Sequence, residues 1–198
     1  MVVLSVIGKT REKIHPIVPK IDGIINCNPR PAAKFFAQTA RDKRPLVGVE
    51  IGVSKGFNAV ATMKLVGFDK FYLVDPYEKY FDQGAYHDDG VRFYGPNERI
   101  AHKLLDNFSG ASFVRETSVE AAKVVPGKVD WCYIDGNHSY EYVIADIEAW
   151  LPKIKKGGVL AGHDFYGNYP GVLRAVVEKF GWDGIKSGNT DWWIVKQE

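Results

Sequence analysis

From residue 31 onward, the chain alternates between two patterns of hydrophobic and polar residues. Short apolar runs such as PLVGVEIG (45–52) and VDWCYID (129–135) predict buried β-strands. Between such runs, segments such as SKGFNAVATMKLVG (54–67) place apolar residues at helical spacing and predict α-helices. Strands that alternate with helices of about ten residues or more indicate βαβ units. The pattern therefore predicts an α/β fold with a mostly parallel sheet that has helices on both faces.

The predicted elements end in an antiparallel hairpin. Its two strands flank the turn GNT (188–190). Gly67 is expected to end the helix that begins at 54, and Ser139 to cap the helix after VDWCYID. The predicted strands cover 45–52, 70–77, 111–116, 129–135, 157–165, 184–188 and 191–197, and the predicted helices cover 31–43, 54–67, 96–108, 118–125, 139–154 and 171–181.

Two regions fall outside this alternation. Residues 1–30 include three prolines and are expected to form an extended N-terminal arm with a short strand, which leaves 31–198 as the main domain. Residues 76–97 form a long connection rich in Tyr, Phe and Asp. Loops of this length in a compact domain are usually functional lids or mobile segments, so a lid is predicted here. Its His-Asp-Asp run (87–89) is interpreted as a solvated loop tip.

Composition and charge exclude several classes of protein. The 198 residues include 26 Lys and Arg and 24 Asp and Glu, a near balance that gives no support to nucleic-acid or membrane-surface binding by bulk attraction. The longest apolar run is far shorter than the roughly 20 residues of a membrane span. The apolar start is followed, not preceded, by basic residues, unlike a signal peptide. Cys27 and Cys132 lack metal-ligand spacing, which fits a reducing, cytoplasmic setting.

Ionisable residues end nearly every predicted strand. In open α/β sheets, ligands bind beyond the carboxyl ends of the strands, near the point where the strand order reverses. We therefore expect these side chains to line a common site. They are Glu50, Asp75, Glu116, Asp135, and His163 with Asp164.

The turn after the first strand, within VEIGVSKG (49–56), carries Gly52 and Gly56. Glycines in such a turn let the backbone approach a ligand closely, and the N-terminus of the following helix favours polar or anionic groups. The spacing matches neither G-x-G-x-x-G nor a P-loop. Glu50, just before the first glycine, favours a cationic group such as an ammonium. Asp75 can accept hydrogen bonds from both hydroxyls of a ribose.

These motifs resemble those of the class I S-adenosylmethionine-dependent methyltransferases, over about residues 45–196. VEIGVSKG is similar to their first motif, YLVDPY to their second, and VRETSVEAA to their adenine-edge loop. The block from DWCYIDGNHSY to GGVLAGHDF looks like a branch of small bacterial O-methyltransferases that includes the macrolide-sugar (macrocin-type) enzymes.

The resemblance implies a Rossmann-like fold with a seven-stranded sheet and S-adenosylmethionine as the cofactor. It also implies methyl transfer to a hydroxyl of a small molecule, such as a sugar or a saccharide-containing metabolite. The cofactor-binding residues that it implies are Glu50, Gly52, Ser54, Gly56, Asp75, Tyr77, Thr117, Ser118 and Asp135.

The proton of an acceptor hydroxyl must be removed or masked, which a His base or a divalent cation can do. His138 matches the catalytic His of the macrolide-sugar branch and is predicted to be the general base, with Asp135 as its catalytic partner. Metal-dependent relatives take their ligands from the two strand ends that carry Asp135, His163 and Asp164. These three are predicted to hold Mg²⁺ or Mn²⁺, although an imidazole suits Mn²⁺, Fe²⁺ or Zn²⁺ better than Mg²⁺. In the alternative, His163 orients the substrate.

Other interpretations stay open. For His138, the alternative is a helix cap or a solvent-facing residue. For the whole protein, the alternatives are a metal-independent methyltransferase, a nucleotide-dependent oxidoreductase, and an inactive S-adenosylmethionine- or sugar-binding module. The missing G-x-G-x-x-G argues against the oxidoreductase. The complete set of Asp135, His138 and Asp164 argues against the inactive module. The sequence sets neither the acceptor nor the oligomeric state, and a homo-oligomer remains an alternative.

Overall fold

A computed structural model describes residues 27–40, 42, 45–81, 91–93 and 95–197. It contains a seven-stranded sheet in the order β5-β2-β1-β6-β7-β9-β8 and a separate two-stranded ribbon, β3-β4. The strands are β1 Val47–Ile51, β2 Lys70–Val74, β3 Lys79–Phe81, β4 Val91–Phe93, β5 Ala111–Val114, β6 Val129–Ile134, β7 Ile154–Gly162, β8 Lys186–Gly188 and β9 Asp191–Val195. The helices are α1 Pro31–Thr39, α2 Phe57–Val66, α3 Gly95–Leu105, α4 Ser118–Val124, α5 Tyr140–Trp150 and α6 Pro170–Phe180, with 3₁₀ turns at Leu151–Lys153 and Trp182–Gly184.

The sheet confirms the predicted Rossmann-like architecture. Its first five strands are parallel, and β9 runs antiparallel to both β7 and β8. The chain builds outward from β1 to β2 and β5, and then returns to place β6 and β7 on the other side of β1. The strand order therefore reverses between β1 and β6, where a crevice opens at the carboxyl ends of the strands.

Helices cover both faces of the sheet, which explains the unbroken apolar runs in the sequence. All six residues of β6 are buried. Trp131 and Tyr133 pack into the core beneath α1, α2 and α3, whereas Cys132 and Ile134 pack into the core beneath α4, α5 and α6. Because successive side chains alternate between the faces, one short strand contributes to both cores.

Most boundaries lie within three residues of the predicted ones, and the shift between α5 and β7 has a local reason. Helix α5 ends at Trp150, and a 3₁₀ turn with Pro152 follows, because proline lacks the N–H that would continue the helix. Strand β7 consequently begins at Ile154, before the predicted 157. The predicted lid also contains a ribbon that was not predicted, in which Lys79 pairs with Phe93 and Phe81 with Val91. Strands of three residues are too short to show the alternation of hydrophobic and polar residues that predicts a β-strand.

Parts of the predicted arm and lid lie outside the described residues, namely 1–26, 82–90 and 94. The His-Asp-Asp run at 87–89 is among them. Within the described residues, no helix is both long enough and apolar enough to cross a bilayer.

Candidate active site

A cavity of about 650 Å³ opens at the carboxyl ends of the central strands. Its wall continues onto the N-terminal halves of α4 and α5 and onto the start of β3. This volume lies in the range of pockets that bind small ligands. Six of the nine cofactor residues implied by the sequence line it: Gly52, Ser54, Asp75, Thr117, Ser118 and Asp135.

The first turn of the cavity wall requires glycine at position 52. Gly52 has φ +81°, and a Cβ there would lie 2.0 Å from the carbonyl oxygen of Asp135. Its N–H donates to the carbonyl of Val74 at 2.9 Å. The turn after β1 is therefore held between the ends of β2 and β6, and its backbone is exposed to the cavity without a side chain in the way.

The Asp75 carboxylate organises the neighbouring loops. It accepts hydrogen bonds from the N–H of Ser54 and the N–H of Tyr77, both at 2.8 Å. Tyr77 Oη in turn donates to the carbonyl of Ser54 at 3.1 Å. Ser54 and Tyr77 both have positive φ, 48° and 53°, a conformation that costs free energy outside glycine. Tyr77 is buried and lies behind the wall, so the structure gives it a supporting position.

Glu50 and Gly56 also lie away from the cavity surface. Glu50 is 1% exposed and accepts a hydrogen bond from Asn58 Nδ2 at 3.0 Å. Burial, with a contribution from Asp135, raises the pKa of Glu50 to about 8. Because burial disfavours the ionised form of Glu50, a cation near its carboxyl would stabilise the anion. Gly56, with φ +81°, begins α2, and a Cβ there would meet Leu105.

The other end of the cavity lies after β5, at the start of α4. Thr117 is the N-cap of α4 and accepts a hydrogen bond from the N–H of Glu120 at 3.4 Å. Ser118 Oγ accepts a hydrogen bond from Trp150 Nε1 at 2.9 Å. Glu116, which the sequence placed among the ionisable strand ends, is exposed and does not line the cavity.

Strands β6 and β7 bring the predicted reaction centre together. Ile134 pairs with Gly162, so Asp135 and His163 emerge side by side at the same edge. His163 Nδ1 lies 3.1 Å from Asp164 Oδ2 and 3.6 Å from Asp135 Oδ1. Its other nitrogen, Nε2, lies 2.6 Å from Thr190 Oγ1. Asp164 has φ +56°, which turns the chain sharply after the strand.

These contacts shift the pKa values in opposite directions. Burial by itself lowers the pKa of His163, but hydrogen bonds to Asp135 and Asp164 outweigh it and raise that pKa to about 9. Burial raises the pKa of both aspartates, but hydrogen bonds to His138 and His163 outweigh it, so both have pKa values below the usual range. Two carboxylates and a protonated imidazole therefore share this edge near neutral pH.

His138 completes the cluster from the turn before α5. Its Nε2 lies 2.8 Å from Asp164 Oδ2 and 4.0 Å from Asp135 Oδ1, and its ring contacts Tyr169 at 4.6 Å between centroids. Asn137 Oδ1 accepts a hydrogen bond from the N–H of Ser139 at 2.8 Å. Asn137, not the Ser139 side chain, thus makes this side-chain hydrogen bond at the helix start, and the turn directs His138 toward the cavity.

A compact set of possible metal ligands lies here. The donor atoms of Asp135, His138 and Asp164 all lie within 4.8 Å of one another. The sequence placed His163 in this set and His138 outside it. Since His163 Nδ1 faces the same two carboxylates, the two possible sets share both aspartates and differ in the imidazole.

Three further residues were missed by the sequence analysis. Arg30 lies 3.8 Å from Asp135 and 3.7 Å from Asp191, and Asp191 accepts hydrogen bonds from Tyr133 Oη at 2.8 Å and from the N–H of Ala32 at 3.1 Å. Asp146, on α5, is 5% exposed and lines the cavity. In the sequence, Asp146 could have been noticed as an acidic residue on the apolar face of a predicted helix.

The strand order, the glycine turn and the carboxylate after β2 define a Rossmann-like sheet with a crevice at the carboxyl ends of its central strands. Residues 49–165, more than half of the chain, match the family described as "Methyltransferase domain". The chain therefore belongs to this methyltransferase family.

One curated relative matches part of the chain in sequence. The uncharacterized protein y4gI of Sinorhizobium fredii (strain NBRC 101917 / NGR234) is 32% identical over 132 residues, which cover 61% of this chain and 13% of that protein. The chain thus spans about one eighth of the length of this relative.

Three solved structures have the same fold at low identity. The calicheamicin methyltransferase CalS11 has a TM-score of 0.62 and 16% identity, with 82% of this chain and 76% of that chain covered. The O-methyltransferase NovP has a TM-score of 0.59 and 16% identity, with coverages of 84% and 79%. SMU.1697c from Streptococcus mutans, a putative methyltransferase in complex with SAH, has a TM-score of 0.58 and 12% identity, with coverages of 84% and 98%.

Proposed function

We propose that this protein transfers a methyl group from S-adenosylmethionine to a hydroxyl of a small molecule, with a sugar or a saccharide-containing metabolite as the acceptor class. The observation that carries the proposal is the position of His138. It lies 2.8 Å from Asp164 and lines the same cavity as Asp75 and Ser118. The proposed general base, His138, and the residues proposed to bind the nucleoside, Asp75 and Ser118, therefore line one cavity.

The cofactor fits the wall of this cavity in one direction. Ser118 follows β5, Asp75 follows β2, Gly52 follows β1, and Asp135 follows β6. Adjacent strands lie about 4.8 Å apart, so this order sets adenine, ribose and methionine along the strand ends. When bound, S-adenosylmethionine supplies an electrophilic methyl group on a sulfonium. The reacting end then falls beside Asp135 and His138.

His138 is proposed to take the proton of the acceptor hydroxyl. Nε2 of His138 faces both Asp164 and Asp135, so the opposite ring nitrogen, Nδ1, takes the proton, and the imidazolium that forms is stabilised by two carboxylates. Asp164 orients the ring as the carboxylate of a catalytic triad orients its histidine. The side chain of Asp135, with Arg30 at 3.8 Å, is held beside the cavity. Tyr169 packs against the His138 ring and limits its rotation.

A sugar as the acceptor class is supported by the chemistry of the reacting edge. The reacting edge presents carboxylates and imidazoles, which hydrogen-bond hydroxyl groups well. The calicheamicin methyltransferase CalS11 and the O-methyltransferase NovP share the fold. Because a fold by itself does not choose an acceptor, the acceptor class rests mainly on the chemistry of the cluster.

The acceptor class is tested by turnover with labelled S-adenosylmethionine and a panel of glycosides. We expect stoichiometric S-adenosylhomocysteine and an O-methyl resonance in the product by NMR. His102→Gln, an exposed imidazole on α3, serves as the control for His138→Gln. Methylation of nitrogen or carbon in the product, or turnover unchanged in His138→Gln, would contradict the proposal.

A divalent cation is a second candidate, favoured by the convergence of Asp135, His138 and Asp164 within 4.8 Å. The donor set fits: two carboxylates with an imidazole suit Mn²⁺, Fe²⁺ or Zn²⁺, and Mg²⁺ can be held by the carboxylates with waters. Bound there, a cation would lower the pKa of the acceptor hydroxyl. If His163 is the imidazole ligand, His138 remains available as the base.

Chelation separates the two candidates. If the cation is required, activity is lost in EDTA and returns with Mg²⁺ or Mn²⁺. Titration calorimetry with Mn²⁺ then identifies the imidazole ligand, because only one of the variants His138→Gln and His163→Gln should lose Mn²⁺ affinity. Activity that is indifferent to EDTA supports base catalysis by His138 alone.

A further inference from the structure

Asp146 is a buried carboxyl group that the proposed methyl transfer does not use. It lies on the apolar face of α5 with Val143, Ile147 and Trp150. It is 5% exposed, and it lines the cavity. A carboxyl on a buried helical face costs free energy unless hydrogen bonds compensate. Burial raises the pKa of Asp146 to about 7.

The position of Asp146 is fixed by the start of α4. The Ser118 hydroxyl forms a hydrogen bond with the Asp146 carboxyl. Ser118 Oγ itself accepts from Trp150 Nε1 at 2.9 Å, so the hydroxyl proton is available for Asp146. Asp146 Oδ2 lies 3.9 Å from the point where a Cβ on Gly136 would be. The carboxyl therefore lies between the α4 start and the turn after β6, in the cavity wall.

This is the end of the cavity where the base of the cofactor belongs. The sheet order places Ser118 after the edge strand β5, and Asp75 after the next strand, β2. With the ribose at Asp75, the base lies on the β5 side, against Ser118 and Asp146. Ala145 and Tyr142 line the cavity on the same side of α5 and offer apolar surface for the ring.

We propose that Asp146 recognises the exocyclic amino group of the adenine and so selects adenine over a base with a carbonyl at that position. The carboxyl accepts a hydrogen bond from the amino group, while Ser118 holds its orientation. A carbonyl in place of the amino group would set an acceptor against the ionised carboxyl and leave Asp146 with the Ser118 hydrogen bond alone, and a buried group that loses a partner in this way discriminates strongly. The inference rests on S-adenosylmethionine as the methyl donor of the proposed function.

The alternative is a purely structural link, in which Asp146 only joins α5 to α4 through Ser118. The two possibilities differ in one measurable quantity, the ratio of affinities for S-adenosylhomocysteine and S-inosylhomocysteine. These probes differ at position 6, where a carbonyl replaces the amino group, and at N1, which carries a proton only in the inosine form; the change of the ratio in an Asp146 variant therefore isolates the contribution of this side chain. A structural link would affect both affinities equally, whereas recognition of the amino group would change their ratio.

The experiment is titration calorimetry of both probes with the full chain at a pH well above 7, so that the Asp146 carboxyl, whose pKa is about 7, is ionised and can only accept hydrogen bonds. We expect the wild type to favour S-adenosylhomocysteine by about tenfold or more, the scale of one discriminating hydrogen bond. In Asp146→Asn, whose amide can donate to a carbonyl or accept from an amino group, the ratio should fall below about threefold. Glu148→Gln, an exposed position on the same helix, should keep the wild-type ratio.

Each outcome decides the proposal. A wild-type ratio near one overturns it without any variant, and so does a folded Asp146→Asn variant that keeps the wild-type ratio. If Asp146→Asn does not fold, Ser118→Ala tests the same contact. Its ratio should fall at least about twofold, and an unchanged ratio overturns the proposal. Because no acceptor is present, these results do not depend on the proposed hydroxyl methylation, which fails separately if no acceptor is turned over.

Discussion

His138 Nε2 lies 2.8 Å from Asp164 Oδ2, although the two residues follow different strands of the sheet. Parallel pairing of β6 with β7 places their carboxyl ends at one edge. The turn through Asn137 then directs the imidazole back over that edge, toward the carboxylate. The pair places an imidazole and a carboxylate together in the wall of the cavity.

Replacing His138 separates catalysis from cofactor binding. We expect His138→Gln to lower kcat about 10²–10⁴-fold, the usual contribution of a general base. The dissociation constant of S-adenosylhomocysteine should stay within about threefold, because Asp75 and Ser118, at the proposed nucleoside end of the cavity, are untouched. Steady-state kinetics and titration calorimetry measure the two quantities. An equal loss of turnover and affinity would indicate a structural role.

Asp164→Asn removes the charge of the His138 partner while keeping its shape. Asp164 has φ +56°, and asparagine tolerates that conformation better than most residues. The variant should therefore fold, and its kcat should fall about 10²-fold or more because the imidazolium loses its carboxylate. Asp164→Ala should lose a similar fraction of kcat but also melt at a lower temperature, since alanine is strained there. Equal melting temperatures for the two variants would contradict this.

Gly52→Ala tests the close contact between the first turn and β6. A Cβ at position 52 would lie 2.0 Å from the Asp135 carbonyl oxygen, so the turn must move. We expect a loss of about 3 kcal/mol or more in the free energy of unfolding, with loss of S-adenosylhomocysteine binding. Urea titration gives the first quantity.

Gly127→Ala is the matched control for Gly52→Ala. Gly127 also has positive φ, +68°, but nothing lies within 4 Å of its Cβ position. Its substitution should cost only the backbone strain, about 1 kcal/mol. Similar losses for the two variants would show that the φ angle, and not the contact with Asp135, dominates.

Glu50 makes the stability of the unliganded protein depend on pH. Its folded pKa is raised to about 8 by burial, above the value of about 4.3 for an exposed Glu. The folded state thus holds a proton that the unfolded state loses, so stability falls as the pH rises from about 4 to 8. Glu50→Gln removes this dependence and can still accept the hydrogen bond from Asn58.

The measurement for Glu50 is the melting temperature of both proteins across pH. At pH 9 the variant should melt about 2–6 °C above the wild type, with the gap shrinking toward pH 5. A constant gap, or a wild type that is the more stable protein at pH 9, would show that Glu50 is compensated in its ionised form. Arg30 is the nearby cation to replace in that case, since it stabilises the carboxylate of Glu50.

Much of the fold could be predicted because local patterns set it. The six-residue run of β6 is buried on both faces and lies between helices, and Gly67 ends α2 with φ +69° as expected. The ribbon β3-β4 escaped prediction because its strands have three residues each. The early start of β7 depended on how Pro152 ends α5.

The sequence by itself determined which residues end the strands and which turn needs glycine. Both depend on a few neighbouring residues: the spacing of hydrophobic positions and the backbone conformations that glycine allows. Only the tertiary structure decided which of those residues meet. It placed His138 against Asp164, left Glu50 behind the cavity, and brought Arg30 and Asp146 into the site. These relationships depend on strand order, register and helix rotation. Those are set by packing between segments far apart in the chain, which a local pattern does not record.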